Sequence, residues 1–190
     1  MAPADPTSLR FRDATAGDAE RVAALHAASW RRHYRGAYSD SFLDGDVQSD
    51  RRQVWAARLA EPSATVTVLA EDDLGLAGFV HVMLDEDHRW GSLIDNLHVD
   101  LRRQRSGLGT VLLARAADGI LACAAGPRTY LWVLGQNTAA RGFYAARGGA
   151  EVEAATVPPP GGDPSRLNGS PPCLRVAWPD ASVLREQLAD

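Results

Sequence analysis

The chain has little with which to hold a metal, staple itself or cross a membrane. Its 190 residues include two cysteines, Cys123 and Cys173, far apart and in no ligand spacing. That excludes a disulfide framework and a zinc motif, and predicts no metal and a reduced, cytoplasmic setting. No apolar run approaches the ~20 residues needed to span a bilayer. The opening Met1-Ala2-Pro3-Ala4-Asp5-Pro6 lacks the basic start and apolar core of a secretory leader, so no membrane partner is expected. Asn168-Gly169-Ser170 fits a glycosylation acceptor and, without such a leader, reads as loop chemistry. Positive charge is also short. The net charge is −4 and the isoelectric point about 5.7, which argues against a nucleic-acid partner. The single basic run, Arg102-Arg103-Gln104-Arg105, is too brief to reverse that balance. There is no internal repeat, no Gly-Lys-Ser/Thr triplet, and no Ser/His/Asp or Cys/His arrangement of the kind that forms a covalent intermediate.

What is present is a globular composition, 45% hydrophobic and 23% charged, at a length that suits one domain over 1–190 with an ordered core of about 9–178. A strand is expected at 9–12, then Thr15 and Asp18 as a helix start with an acidic first turn. Val22, Leu25, His26 and Trp30 keep helical spacing in a helix ending near 35. A second helical stretch over 40–59 is open to division at Gly45. The period then changes: 65–70 is β-branched, 76–84 is its hairpin partner across a turn at 71–75, and 92–99 is a further strand after a polar turn at 85–91. A helix over 107–125, a strand over 129–134, a helix over 138–147 and a strand over 150–154 follow. Residues 157–172 hold six of the 11 prolines and read as a loop, 173–178 as a closing strand, and 180–190 as a tail. This order implies an α/β fold, a mixed central sheet of about seven strands with helices on both faces.

The sharpest local feature is the run Leu97 to Thr110, a strand entering a loop with glycines at 107 and 109 that opens an apolar helix. Unpaired amides and the helix dipole make such a turn an anion site, and glycine lets a phosphate approach the backbone. Arg102, Arg103 and Arg105 are expected to supply cationic charge beside it. The plain alternative is a tight turn and nothing more. A dinucleotide fingerprint fails, because it needs a glycine where Leu112 stands.

The run Gln104-x-x-Gly107-x-Gly109 resembles the Q/R-x-x-G-x-G/A signature of the GNAT acetyltransferases, and follows a strand ending Leu97-His98-Val99 as that motif does. Downstream, Leu131-Trp132-Val133-Leu134 and then Asn137-x-x-Ala140-x-x-Phe143-Tyr144-x-x-x-Gly148 is similar to the same family's strand, asparagine and tyrosine helix. The resemblance spans about 9–178 and is closest over 95–148. Ser106 and Gly149 depart from the usual pattern.

The resemblance implies the GNAT fold and direct transfer of the acetyl group of acetyl-CoA to the primary amine of a small molecule or peptide. A homodimer is left open. It places the pantetheine arm along Leu97, His98 and Val99, with a backbone N–H near Leu97 on the thioester carbonyl. It places the pyrophosphate on Arg105, Ser106, Gly107, Leu108, Gly109 and Thr110. Asn137 is a cofactor contact or a helix N-cap, and both roles are compatible. Tyr144 is the general acid for the departing thiolate, or a core residue. Asp95 stands two residues before Leu97, so strict alternation sets both side chains on one face; it is a general base or a solvated carboxylate. His81 and His98 are weaker candidates for the base. Trp30, His33, Tyr34 and Tyr38 cluster where the first helices and the Pro-rich loop would form an acceptor pocket, with Trp30 better read as core. The competing function is a non-catalytic acyl-CoA sensor of the same fold; a nucleotide-binding regulator is disfavoured by the missing lysine.

Overall fold

The computed structural model describes residues 9–186. Seven strands form one sheet in the order β1 (Arg10–Asp13), β2 (Thr65–Asp72), β3 (Gly75–Asp87), β4 (Gly91–Val99), β5 (Thr129–Leu134), β7 (Pro172–Trp178) and β6 (Ala150–Thr156). All neighbours are antiparallel except β4 and β5, so the sheet is mixed. Helix α1 (Ala19–His33) and helix α3 (Val47–Ala60), with the short α2 (Asp40–Asp44) between them, lie on one face. Helix α4 (Leu108–Cys123) and α6 (Ser182–Glu186) lie on the other, while α5 (Thr138–Ala145) follows β5. The expected seven-stranded mixed sheet with helices on both faces is what forms.

The packing follows from the periodicities. Leu112, Leu113, Ala116, Ala117 and Ile120 of α4 recur at helical spacing and are buried against Val68, Val80, Val82 and Ile94 of the sheet. On the opposite face, Val22 and Ala23 of α1 meet Trp55 and Leu59 of α3 over Leu69 and Phe79. The second helical stretch divides at Gly45, where an added β-carbon would stand 2.6 Å from the Ser41 carbonyl oxygen. Asp18 ties the start of α1 to β1: it accepts from the Thr15 N–H at 2.8 Å and from Arg12 at 2.7 Å.

Two expectations fail. The hairpin strands run longer than expected, because Glu71, Asp72 and Glu86 remain paired or extended where charge suggested a turn. The tail contains α6, whose Ser182 N–H is capped by Asp180 at 2.8 Å and whose Leu184 enters the main apolar cluster. One buried leucine in five residues is too short a pattern to betray a helix by its period. Residues 187–190 lie outside the described residues.

Candidate functional site

Strands β4 and β5 are partners over only two residue pairs, Ser92–Thr129 and Leu93–Tyr130. The junction is close: the Ser92 N–H donates to the Arg128 carbonyl at 3.0 Å, and the Thr129 hydroxyl to the Ser92 carbonyl at 2.9 Å. Gly91 makes it possible. Its φ is +82°, and a β-carbon there would fall 2.1 Å from the Arg128 oxygen. Beyond this point the strands part. A cavity of about 620 Å³ opens between Asp95 and Asn96 of β4 and Trp132, Val133 and Leu134 of β5. Its remaining wall comes from His26 and Trp30 of α1, Tyr34 just beyond that helix, Tyr38, Arg51 and Arg58 of α3, Ala155 and Thr156 of β6, Cys173, and Val157 to Pro160 of the Pro-rich loop. That loop is held down by Asn168, whose side-chain amide donates to the Tyr38 carbonyl at 3.0 Å.

The glycine loop lies at the start of α4. Arg105 and Gly107 have φ of +61° and +83°, and Gly107 has open space where a β-carbon would point. Among the described residues, no backbone hydrogen bond of good geometry is made by the N–H groups of residues 105–109, whereas Thr110 and Val111 bond back to the Gly107 carbonyl at 2.9 and 3.2 Å. Five successive free amides at a helix N-terminus are an anion cradle in form. Gly109 has a different reason to lack a side chain: a β-carbon would come within 3.1 Å of the Phe143 ring. Phe143 therefore draws α5 against the loop.

The arginines near the loop do not divide as expected. Arg102 and Arg103 donate to the buried Asp72 carboxylate, each at 2.8 Å, and so brace the loop instead of facing it. The charge beside the amides comes from Arg105 and from Arg147, which sequence reasoning missed. Arg147 donates to the Thr110 hydroxyl at 3.0 Å and lies 3.7 Å over the Phe143 ring. Its only signal is the four-residue step from Phe143, which puts both on one side of the helix end.

Asn137 caps α5, its carboxamide oxygen accepting from the Ala140 N–H at 3.1 Å. Tyr144 is half-buried, packs edge-on against Phe143 and Trp178, and is not in the cavity wall. Burial first, and the nearby Tyr34 phenol second, push its ionisation above the ordinary tyrosine range. Tyr34 itself is pushed up to about 12, chiefly by burial.

Alternation along β4 does not hold. A bulge lies between the pairs Val82–Ile94 and His81–Asn96, and Asp95 is the extra residue. The bulge rotates the following residues, so Leu97 and Val99 pack into the α4-side cluster while Asn96 and His98 turn towards α1 and α3. The Asp95 carboxylate accepts from Arg58 of α3 at 2.7 Å. It therefore lies on the opposite side of the sheet from Leu97, not beside it. A one-residue insertion shifts every later side chain to the other face, and no sequence pattern announces it.

The histidines are buried. His98 Nδ1 lies 2.8 Å from the Ser29 hydroxyl, and His81 Nδ1 lies 2.7 Å from the Thr67 hydroxyl. Burial pushes His98 down to about 3 and His81 to about 4, so both are neutral near pH 7. His33 is not in the cavity wall, in contrast to Tyr34, Tyr38 and Trp30. Trp30 serves twice, 8% exposed in the second apolar cluster and still bordering the cavity.

The acetyltransferase (GNAT) family profile matches residues 21–149. The probable N-acetyltransferase Rv2775 of Mycobacterium tuberculosis is 30% identical over 156 residues, covering 73% of this chain and 78% of its own length. Among solved structures, the PaiA N-acetyltransferase of Thermoplasma acidophilum in complex with coenzyme A superposes with a TM-score of 0.67 at 17% identity, over 90% of this chain and 99% of that one. Variant forms of the spermidine/spermine N-acetyltransferase SpeG of Vibrio cholerae give 0.63 at 18% identity, over 95% and 99%.

Proposed function

The chain belongs to the acetyltransferase (GNAT) family, and from that premise we propose that it transfers the acetyl group of acetyl-CoA directly to a primary amine. The observation that carries the reading is the run of free amides at 105–109, opening α4 beside the gap between β4 and β5. The pyrophosphate would rest on Arg105, Ser106, Gly107, Leu108, Gly109 and Thr110, with Arg105 and Arg147 as its cations. The pantetheine arm would enter the parted strands along Leu97, His98 and Val99, its amides pairing with backbone groups that β5 leaves free, and Asn137 contacting it from α5. The PaiA structure contains coenzyme A, which supports acetyl-CoA as the co-substrate here. The active unit in this reading is one acetyltransferase domain spanning the chain, working in the cytoplasm. No described helix is long and apolar enough to cross a membrane.

In the chemical step the neutral amine attacks the thioester carbonyl, and the N–H near Leu97 stabilises the oxyanion as it forms. The carbon–sulfur bond breaks, and the Tyr144 phenol gives its proton to the departing thiolate. Its raised ionisation keeps that proton in place across the neutral range. Asp95, in the cavity wall where an amine would enter, takes the amine proton. Asp95→Asn is then expected to lower kcat/KM more for an acceptor of high amine pKa than for one that arrives neutral; equal small losses would leave it a structural carboxylate.

The whole reading is tested by calorimetric titration of acetyl-CoA beside an assay of free thiol released with a panel of amines. Saturable binding with amine-dependent thiol release is expected. Binding without release from any amine would favour the acyl-CoA sensor instead.

A further inference from the structure

The cavity wall is rich in donors and poor in carboxylates. Two arginines, Arg51 and Arg58, face it against one carboxylate, Asp95. Arg51 is the more confined, its side chain 9% exposed. Its guanidinium stacks over the Trp30 ring at 4.3 Å. Its Nε donates to Asp50 at 2.9 Å, and Asp50 is shared with Arg166 of the Pro-rich loop. Asp50 occupies Nε and Nη2, so Nη1 has no acceptor among the described residues. Arg58 gives one Nη1 bond to Asp95 and likewise keeps donors to spare.

A third donor follows from proton counting. The Trp55 indole can only donate, and it donates to His26 Nδ1 at 2.9 Å. Burial keeps His26 neutral, so its proton is on Nε2, and Nε2 is buried without a partner. His26 also borders the cavity. Buried donors with nothing to donate to are costly unless a ligand completes them.

Resting on the proposed acetyl transfer, we infer that the acceptor is a small amine that carries its own carboxylate, an amino acid with an apolar or aromatic side chain, held through Arg51. The free Nη1 of Arg51, backed by the spare donors of Arg58, meets the carboxylate. Asp95 meets the ammonium before it loses its proton, and the rings of Trp30, Tyr34 and Tyr38 cover the side chain. A polycation such as spermidine would find a single carboxylate in the wall, Asp95, already paired with Arg58. The phosphates of the cofactor do not explain Arg51, because the free amides lie at the start of α4 on the other face of the sheet.

The test compares phenylalanine with phenylethylamine, phenylalanine amide, aminomethylphosphonate and spermidine by thiol release from acetyl-CoA. Phenylalanine should exceed phenylethylamine in kcat/KM by ~10²-fold or more, since the two share an amine and a ring and differ in the carboxylate. In Arg51→Gln that ratio should fall to within a few-fold, mainly through the KM of phenylalanine, and Arg51→Lys should recover part of it. Acetyl-CoA affinity measured on each variant reports whether it is folded, and the acceptor comparison on the natural protein stands even if a variant is not. Preference for aminomethylphosphonate would replace the carboxylate by a phosphonate-type anion and overturn the amino-acid assignment. Equal or better turnover of phenylethylamine, the amide or spermidine would overturn the inference and leave acetyl transfer standing. So would acetyl-CoA binding with no turnover of phenylalanine, or an unchanged ratio in Arg51→Gln. Failure to bind acetyl-CoA at all would strike the parent reading instead.

Discussion

Gly107 combines a left-handed backbone with open space where its side chain would be. Those two facts separate conformational strain from ligand exclusion. Gly107→Ala carries only the strain, about 1 kcal/mol, whereas Gly107→Glu adds a negative charge among the amides proposed to hold the pyrophosphate. The acetyl-CoA dissociation constant of Gly107→Glu should rise more than tenfold, ~1.4 kcal/mol, as read by calorimetry, and well beyond that of Gly107→Ala. Equal affinities for the two variants would remove the phosphate role. Tyr144 invites the complementary test. Its hydroxyl has no hydrogen-bond partner among the described residues, so Tyr144→Phe should leave the melting temperature and cofactor affinity nearly intact while kcat falls by roughly 10²–10⁴-fold. A drop in melting temperature with full turnover would make it a packing residue. At this scale the glycine loop was legible, because glycine spacing follows from backbone geometry. The surroundings of Arg147 and Arg51 were not, since only the fold decides which groups an arginine meets. Arg102 and Arg103, equally basic in sequence, are taken up by Asp72.

Among elements, the informative contrast is between α4 and β4. The apolar repeat of α4 fixed its place against the sheet, and Gly45 divided α2 from α3 as its steric demand requires. In β4 the alternation was right up to Ile94 and wrong after it, because the bulge at Asp95 is a backbone event with no compositional cost. The bulge puts Asp95 in the cavity wall and turns Leu97 to the far side. The base of β4 is the more fragile point. Gly91→Ala would drive a methyl group into the Arg128 carbonyl at a left-handed φ, and both penalties together should exceed ~3 kcal/mol. Thermal unfolding should show a large fall in melting temperature, with weaker acetyl-CoA binding in whatever remains folded. An unchanged melting temperature would mean that the β4–β5 junction yields without cost.

For the molecule as a whole, the buried imidazoles set a pH limit. His81 and His98 have ionisations lowered to about 4 and about 3, and His26 is also lowered by burial. Their unfolded value is ~6.5, so between that value and the folded ones the unfolded chain binds more protons, and stability rises with pH. The contribution is complete above ~6.5 and is lost on acidification. At pH 5 each such histidine forfeits about 2 kcal/mol relative to pH 7. Two of them should lower the melting temperature by ~10 °C; a flat profile over that interval would show that the rings are solvated or paired. All 20 basic residues are arginine and none is lysine. No side chain of this protein can therefore serve as its own amine acceptor, and thiol release seen with an added amine reports on that amine.

The two halves of the sheet, β1 to β4 and β5 with β7 and β6, meet through two residue pairs in the strand ladder. Such a join ties the two halves of the ladder at one end only. A rod-like ligand lying along both inner edges would act as a splint, closing the ladder that the chain leaves open. Part of its binding energy would then appear as stiffness between the halves instead of as contact at the glycine loop. Occupancy by the first substrate would thereby set the width of the cavity offered to the second.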